Sequence, residues 1–190
     1  IAYFLPGVLS VSVASFVAKY TFTPYTGLVN GVLHQLHLIP ADTELQFLMD
    51  PKLVWVTISS MTVWWTIGFS MMLYISALQD IDLGLYEASA IDGANARQQL
   101  FKITLPLLKP TTYLVTLLQL IACFKVFGQI QLITNVGPAG STKPLIQYIY
   151  EAACQKNKLG YAAAMSYVLF GILLVLSLAQ MLIQKRGGDR

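Results

Sequence analysis

Charged residues are scarce in this 190-residue chain. Only 11% of its residues are Asp, Glu, Lys or Arg, whereas 56% are hydrophobic. A soluble domain has roughly 25% charged residues, so this chain has too few charges to cover a water-exposed surface. The scarcity therefore indicates a membrane protein. The small formal net charge of +3 gives no indication of nucleic-acid binding.

The chain also lacks several motifs that carry chemistry. Its two cysteines, Cys123 in an apolar run and Cys154 in a polar loop, cannot form a disulfide framework or a metal site. No Gly-rich loop is followed by Lys and Ser or Thr, so we expect ATP hydrolysis to be supplied by another subunit. The chain starts at Ile1 within apolar sequence and without the basic residues of a signal peptide. We expect its beginning to be missing.

Histidine is equally rare. His34 and His37 are the only two, and they lie near Asp42 and Glu44 in a predicted outer loop. Such a set could hold a metal ion, which would suit an intramembrane enzyme. A solvated loop face is the simpler interpretation, and we predict no metal site and no enzyme activity in this chain.

Long apolar runs are what the sequence has in abundance. A spanning helix needs about 20 apolar residues, and the runs that qualify cover residues 1–20, 53–79, 111–133 and 159–184. Runs of this length match helices far better than barrel strands of about 10 residues. We therefore predict an all-α membrane protein, with a single transmembrane domain over residues 1–190 and a spanning helix in each run.

Four spans would place the middle loop, residues 80–110, on the same side as the C-terminus. Six Lys or Arg would lie on that side, namely Arg97, Lys102, Lys109, Lys185, Arg186 and Arg190. Five would lie on the other, namely Lys19, Lys52, Lys143, Lys156 and Lys158. The positive-inside rule favours a cytoplasmic middle loop, but a margin of one leaves the orientation open. In the outer loops we predict a short helix within 21–52 and a surface segment over 145–153.

Polar side chains gather on one side of each predicted span when residues are placed at about 100° per step. The second span has Ser59, Thr66, Ser70 and Tyr74 on one side, and the fourth has Ser166, Ser177, Gln180 and Gln184. Hydrogen bonding between helices is the simplest role for each Ser or Thr. If the chain were a purely structural assembly subunit, these polar sides would have no role beyond helix packing.

Lys125 is the one charged residue in the third predicted span, and Gln129 would lie on the same side of that helix. A lysine within a span costs several kcal/mol unless it is paired, hydrated or reaches the membrane surface. Our hypothesis is that Lys125 and Gln129 face a solute pathway. An ion pair, or a side chain that extends to the surface, is the alternative.

The middle loop has the signals of two short helices. Asp82 can cap a helix over 83–92, and Gly93 suits the left-handed position that follows it. Asn95 can cap a second helix in a capping box with Gln98, and we expect Pro106 to disrupt that helix. Two such helices could lie on the lipid surface, but we favour docking onto a cytoplasmic partner.

The middle loop resembles a known family. Glu87-Ala88-Ser89, Gly93 and Ile103-Thr104-Leu105-Pro106 are similar to the EAA loop of the membrane subunits of binding-protein-dependent ABC importers. Residues 80–110 are called the EAA loop below. Other segments resemble the sugar permeases of that family, namely Tyr25 to Asn30, Phe127, Leu132-Ile133-Thr134, Gly137-Pro138, Ser141-Thr142, Tyr148-Ile149-Tyr150 and Leu159 to Ala162.

The resemblance implies a type I importer fold with about six spans per subunit, four of them in this chain and two upstream of Ile1. It implies a multi-pass protein of the cell (inner) membrane, with the EAA loop and the C-terminus cytoplasmic. Glu87 would face an ATP-binding subunit and Gly93 would be the elbow between the helices. The coupling residues would be Glu87, Ala88, Ser89, Asp92, Gly93, Ile103, Leu105 and Pro106.

The same resemblance implies the partners and the activity. The partners would be two ATP-binding subunits that hold ATP and Mg, a second and unlike permease subunit, an extracytoplasmic solute-binding protein and membrane lipid, without nucleic acid or a cofactor of this chain. The substrate would be a sugar or oligosaccharide, carried by alternating access. A non-sugar solute on the same scaffold is the alternative. The pathway residues would be Lys125, Gln129, Gly128, Ser59, Thr66, Ser70, Tyr74 and Ser166.

The sequence departs from the family pattern at four positions. Ser89 replaces an Ala, which is a small change, and Asp82 stands where Pro is frequent but can still cap the helix. Gly128 stands where sugar permeases often have Asp, and Val136 where Gly is usual. Gly128 and Val136 therefore bear on which substrate is carried more than on which family the chain resembles.

Overall fold

The computed structural model describes residues 3–40, 43–138 and 140–188, and every regular element in these ranges is helical. The α-helices are α1 Leu5–Val8, α2 Val11–Thr21, α3 Leu28–Gln35, α4 Leu53–Gln79, α5 Leu83–Ile91, α6 Ala96–Gln99, α7 Leu105–Leu107, α8 Lys109–Phe124, α9 Gly128–Ile133, α10 Leu145–Tyr150 and α11 Leu159–Gly188. Two π-helical turns, Leu100–Thr104 and Glu151–Gln155, complete the described elements. The all-α prediction is confirmed.

The chain divides into two compact units. The first comprises Ile1–Gly68 and Phe124–Phe170, and the second comprises Phe69–Cys123 and Gly171–Arg190. The single transmembrane domain expected over residues 1–190 stays a prediction.

Among the described residues, two helices are each long and apolar enough to cross a membrane. They are Leu53–Gln79 and Leu159–Lys185, with mean hydropathies of 1.4 and 2.2 in their most apolar windows. Both coincide with predicted spans. Only 11% and 6% of the residues in those windows are buried, which suits helices whose apolar surfaces face lipid or other subunits.

The first and third predicted spans are each interrupted, and the expectation that they cross the membrane stays a prediction. The break in the first follows Leu9, where the Ser10 hydroxyl accepts a hydrogen bond from the Val13 N–H and caps α2. In the third, α8 ends at Phe124 and α9 begins at Gly128. Val126, between them, packs onto a buried apolar cluster instead of continuing the helix.

The segment before α8 is also bent. Ala96–Leu107 and Lys109–Phe124 meet at 59° and are long enough for a third span only together. Pro106 does not disrupt its helix as expected, because a π-helical turn precedes it and the Leu105 N–H bonds the Leu100 carbonyl. The bend comes at Leu108, since the ring of Pro110 would clash with the carbonyl four residues earlier in a continuous helix.

The first unit has a compact core. One buried cluster comprises Ala14, Ala18, Met61 and Ile133, and another comprises Val54, Ile58 and Ile130. α2 packs against α9 and α3. Gly68 allows α4 to pass close to the N-terminal segment, because a Cβ at this position would lie 2.3 Å from the Tyr3 carbonyl oxygen.

The two segments predicted as outer loops contain short helices. α3 lies within the first, and α10 with the following π-helical turn covers residues 145–155 of the second. Helical structure is therefore confirmed in both, and their place at the membrane surface stays a prediction.

Candidate functional site

The EAA loop contains two capped helices that meet at a glycine. The Asp82 carboxylate accepts a hydrogen bond of 2.9 Å from the Gly84 N–H at the start of α5. Gly93 has a φ of +79°, which is the left-handed conformation that glycine adopts most readily. Asn95 and Gln98 form both bonds of a capping box, each 2.9 Å long. The predicted geometry is confirmed, except that α5 ends at Ile91 and not at Asp92.

Hydrogen bonds join the two helical parts of the EAA loop. The Tyr86 hydroxyl lies 2.8 Å from the hydroxyl of Thr104, whose side chain is nearly buried. Gln99 Nε2 donates to the Ser89 hydroxyl at 2.9 Å and to the Tyr86 carbonyl at 3.2 Å. These contacts hold α5 against the segment that leads into α8.

Sequence reasoning missed Tyr86, Gln99 and Thr104 as members of this network. Tyr86 and Ser89 are three residues apart and therefore on one face of α5. That spacing was the available signal. Their partners follow ten to eighteen residues later, beyond the reach of a helical pattern.

Apolar side chains remain exposed on the EAA loop. Ile91 is 88% exposed and Leu83 is 73% exposed, and Leu100, Phe101 and Leu105 are also exposed. Leu83 and Ile91 lie four residues before and after Glu87 and so share a face of α5 with it, and contiguous exposed apolar side chains mark interaction surfaces.

The other predicted coupling residues differ in exposure. Glu87, Ala88 and Asp92 are exposed, whereas Ile103 and Pro106 are half-buried. The loop therefore presents an acidic group beside apolar side chains.

The polar residues predicted for one side of the second span all lie on α4. Ser59 and Thr66 belong to the first unit, and Ser70 and Tyr74 to the second. Ser59 is exposed, and the Thr66 hydroxyl bonds the Thr62 carbonyl of its own helix.

Ser70 does make a contact between helices, because its hydroxyl accepts a bond of 2.9 Å from Gln119 Nε2. Gln180 makes a second one, donating through Nε2 to the Tyr113 carbonyl at 2.6 Å. The Ser166 hydroxyl bonds the Ala162 carbonyl of its own helix. Bonding between helices, the simplest role assigned to these stripes, is thus seen at Ser70 and Gln180.

Lys125 and Gln129 do not share a helix face. Lys125 is exposed in the turn after α8. Gln129 lies in α9, is 5% exposed, and its Oε1 is 2.7 Å from the Thr62 hydroxyl. Gly128 lies against α2, where a Cβ would come within 3.3 Å of a Val11 methyl. The break at 125–127 therefore corrects the predicted juxtaposition of Lys125 and Gln129.

The histidine alternative gains no support from geometry. His34 Nε2 lies 3.2 Å from Glu44 Oε1, and the other oxygen of Glu44 accepts from the Tyr25 N–H at 3.1 Å. Asp42 lies outside the described residues. Within 3–40, 43–138 and 140–188, no three His, Cys, Asp or Glu side chains are placed to hold a metal ion.

Val136, which departs from the family pattern, has a left-handed backbone conformation. Its φ is 68°, and its neighbour Asn135 has a φ of 48°. Left-handed backbone is uncommon for a β-branched residue, which accounts physically for the Gly that is usual at this position of the family.

The comparisons relate this geometry to known proteins. The sequence profile of the family described as "Binding-protein-dependent transport system inner membrane component" matches residues 2–187. The chain is 34% identical over 187 residues to the probable ABC transporter permease protein YurN of Bacillus subtilis (strain 168), covering 98% of this chain and 63% of that protein.

It is 33% identical over 182 residues to the arabinooligosaccharides transport system permease protein AraP of Halalkalibacterium halodurans, covering 95% of this chain and 56% of that protein. A chain of a bacterial ABC transporter involved in the import of the acidic polysaccharide alginate superposes with a TM-score of 0.85 and 26% identity. That match covers 97% of this chain and 63% of the other. The chain thus spans less than two thirds of the length of these relatives.

Proposed function

Because the chain belongs to the family of binding-protein-dependent transport system inner membrane components, we propose that it is part of the permease subunit of an ATP-driven importer for a sugar or oligosaccharide. It forms part of the translocation pathway and is not itself the ATPase. ATP and Mg are bound by two partner subunits, and a second, unlike permease subunit completes the pathway.

The observation that carries the proposal is the surface of the EAA loop. Glu87 is exposed beside strongly exposed apolar side chains such as Ile91 and Leu83. A hydrophobic patch with a charged rim is suited to seat in a groove of another protein. We assign that groove to the ATP-binding subunit, which makes the EAA loop and the C-terminus cytoplasmic in the inner membrane.

The network within the EAA loop supplies a route for coupling. Tyr86 and Ser89 on α5 are bonded to Thr104 and Gln99 in the segment that leads into α8. A displacement of α5 by the ATPase is therefore passed to the base of α8. The permease has two alternative packings of its helices. ATP binding at one end and the loaded binding protein at the other shift the equilibrium between them, which gives alternating access.

The names of relatives support a carbohydrate substrate. They include the arabinooligosaccharides permease AraP, the diacetylchitobiose uptake system permease protein NgcF of Streptomyces coelicolor, and the lactose transport system permease protein LacF of Rhizobium radiobacter. A solved alginate ABC transporter is in complex with an alginate pentasaccharide-bound periplasmic protein. By analogy, we assign an extracytoplasmic solute-binding protein as a partner of this chain.

The predicted pathway residues that are exposed or half-buried are assigned to the solute pathway, namely Ser59, Thr66, Ser70, Tyr74, Lys125, Gly128 and Ser166. Gln129 is buried and accepts a hydrogen bond from Thr62, so we assign it a role in positioning the pathway helices. Lys125→Met should reduce uptake while the protein stays in the membrane. Unchanged uptake would remove Lys125 from the pathway.

Reconstitution tests the proposed function. The complete permease and its ATPases are reconstituted in proteoliposomes. ATP is supplied on the side of the membrane that the ATPases face, and the binding protein is supplied on the opposite side. Uptake is measured for labelled arabinotriose, lactose and N,N′-diacetylchitobiose, with leucine and phosphate as non-sugar solutes. We expect uptake of at least one sugar that requires both ATP and the binding protein. Uptake of leucine or phosphate alone would contradict the sugar assignment.

A further inference from the structure

A polar cavity lies in the first unit, and its lining residues fall between Gln131 in α9 and Gln155. Its volume is about 430 Å³, which is within the range of roughly 300–1,000 Å³ typical of small-molecule sites. Six of its lining side chains carry amide or charged groups, namely Gln131, Asn135, Lys143, Gln147, Glu151 and Gln155. The cavity lies outside both helices that are long enough to span a membrane.

Three of these amides are connected in one direction. Gln147 is 1% exposed and donates through Nε2 to Gln131 Oε1 at 2.6 Å. Gln131 in turn donates through Nε2 to Asn135 Oδ1 at 2.9 Å. Because each amide oxygen in this relay accepts from the previous side chain, the exposed Asn135 presents its NH₂ group as a donor.

The relay also leaves one buried acceptor without a donor. Gln147 Oε1 accepts no hydrogen bond from any side chain or backbone group in the described ranges. A buried amide oxygen without a donor is unfavourable. An O–H group entering the cavity and displacing the Gln147 side chain slightly would supply that donor.

The backbone beside the relay has an unusual conformation. Asn135, Val136 and Gly140 all have positive φ, at 48°, 68° and 76°. Positive φ at a β-branched residue persists only where surrounding contacts hold it, and such residues concentrate at ligand-binding sites. The conformation places the Asn135 side chain at the cavity.

A balanced ion pair forms another part of the wall. Lys143 Nζ donates to Glu151 Oε2 at 2.5 Å and lies 4.3 Å from the centre of the Tyr148 ring. Each charge is thus neutralised locally, which disfavours an ionic ligand. The wall still offers both donors and acceptors, and neutral sugar hydroxyls can use both.

We propose that this cavity is a saccharide-binding subsite, separate from the solute pathway of the spanning helices. The inference rests on the proposed function for the identity of the saccharide as the transported solute. The Asn135 amide donates to one hydroxyl, and the Glu151 carboxylate accepts from a neighbouring one. Such a subsite would receive sugar before it enters the membrane-spanning part.

A matched pair of asparagine variants tests the subsite. Asn135 and Asn157 are both exposed and both have positive φ, at 48° and 51°, but only Asn135 lines the cavity. Replacement by glycine preserves either backbone conformation. Asn135→Gly removes the donor, whereas Asn157→Gly is the control, and Gln155→Ala provides a second cavity variant.

The measurement is binding of arabinotriose, lactose and N,N′-diacetylchitobiose to the assembled transporter in nanodiscs, without the solute-binding protein, by saturation-transfer NMR titration. Leucine serves as the non-sugar control. We expect saturable binding of at least one sugar, weakened about tenfold by Asn135→Gly through the loss of its hydrogen bonds. Asn157→Gly should bind as the unaltered protein does. Absence of saturable sugar binding, or equal affinity in the two asparagine variants, would overturn the subsite.

Uptake by the same transporter reconstituted in proteoliposomes with the binding protein separates this inference from the proposed function. If sugar is imported with the binding protein present but does not bind the cavity, the subsite is overturned and the proposed function stands. If the cavity binds sugar with the expected sensitivity to Asn135→Gly while only leucine or phosphate is imported, the subsite is supported and the proposed function is overturned.

Discussion

Gln99 Nε2 donates a hydrogen bond of 2.9 Å to the Ser89 hydroxyl, and this bond connects the two helical parts of the EAA loop. Ser89 stands where the family pattern has Ala, so the acceptor belongs to this chain and not to the general motif. The Ser89 hydroxyl also donates to the Tyr86 carbonyl at 2.8 Å. The Ser89 hydroxyl therefore donates to a carbonyl of its own helix and accepts a hydrogen bond from the neighbouring segment.

We predict that Ser89→Ala loosens the EAA loop without unfolding it. Gln99 loses its side-chain acceptor but keeps the Tyr86 carbonyl, so the local stability should fall by about 1 kcal/mol. Amide hydrogen exchange over residues 83–104 should accelerate. Ser76→Ala is the control, because Ser76 is exposed on α4. Equal exchange rates in the two variants would show that the bond does not stabilise the loop.

Gly93 tests the elbow itself. Its φ is +79°, and a Cβ at this position would have no neighbour within 4 Å. Gly93→Ala therefore acts through backbone conformation alone and should destabilise the loop by about 1–2 kcal/mol. Gly31→Ala adds the same methyl group in open space within helix α3, where φ is not positive, and should not destabilise the protein. Thermal unfolding of both purified variants makes the comparison, and equal melting temperatures would contradict the left-handed elbow.

Gly68 tests the close approach of α4 to the N-terminal segment. A Cβ there would lie 2.3 Å from the Tyr3 carbonyl oxygen and 2.6 Å from the Phe4 Cα, both of which are backbone atoms. Gly68→Ala should cost about 1–3 kcal/mol of unfolding free energy, as overpacking does. Gly171→Ala meets nothing within 4 Å in α11 and should gain up to about 1 kcal/mol from helix propensity. Denaturant unfolding in detergent measures both, and a Gly68→Ala variant as stable as the unaltered protein would contradict the packing.

Local signals predicted the local structure of the site. Asp82, Gly93 and the Asn95–Gln98 pair act through backbone groups within a few residues, and such capping is readable from the sequence. The charge-free runs of α4 and α11 were equally readable, since length and hydropathy decide a spanning helix.

Tertiary packing decided what the sequence could not. An apolar run cannot reveal that α8 stops at Phe124 or that Val126 packs against a buried cluster of residues from other helices. The same break separated Lys125 from Gln129, whose predicted common side assumed a continuous helix. Pro106 was expected to disrupt its helix, but a π-helical turn precedes it and the bend lies at Leu108.

We propose that Glu87 and the surface around it couple ATP hydrolysis to transport. The most direct test is the number of ATP molecules hydrolysed per sugar imported by the reconstituted transporter carrying Glu87→Lys. Asp80→Lys is the matched control, because it makes the same charge change at an exposed residue outside both helices of the loop. Sugar binding by the separate solute-binding protein is measured in parallel and should not change.

We expect Glu87→Lys to raise this ratio severalfold, or to release the ATP-binding subunit during purification, while Asp80→Lys keeps the normal ratio. Normal import, a normal ratio and intact ATPase association in Glu87→Lys would contradict this proposal.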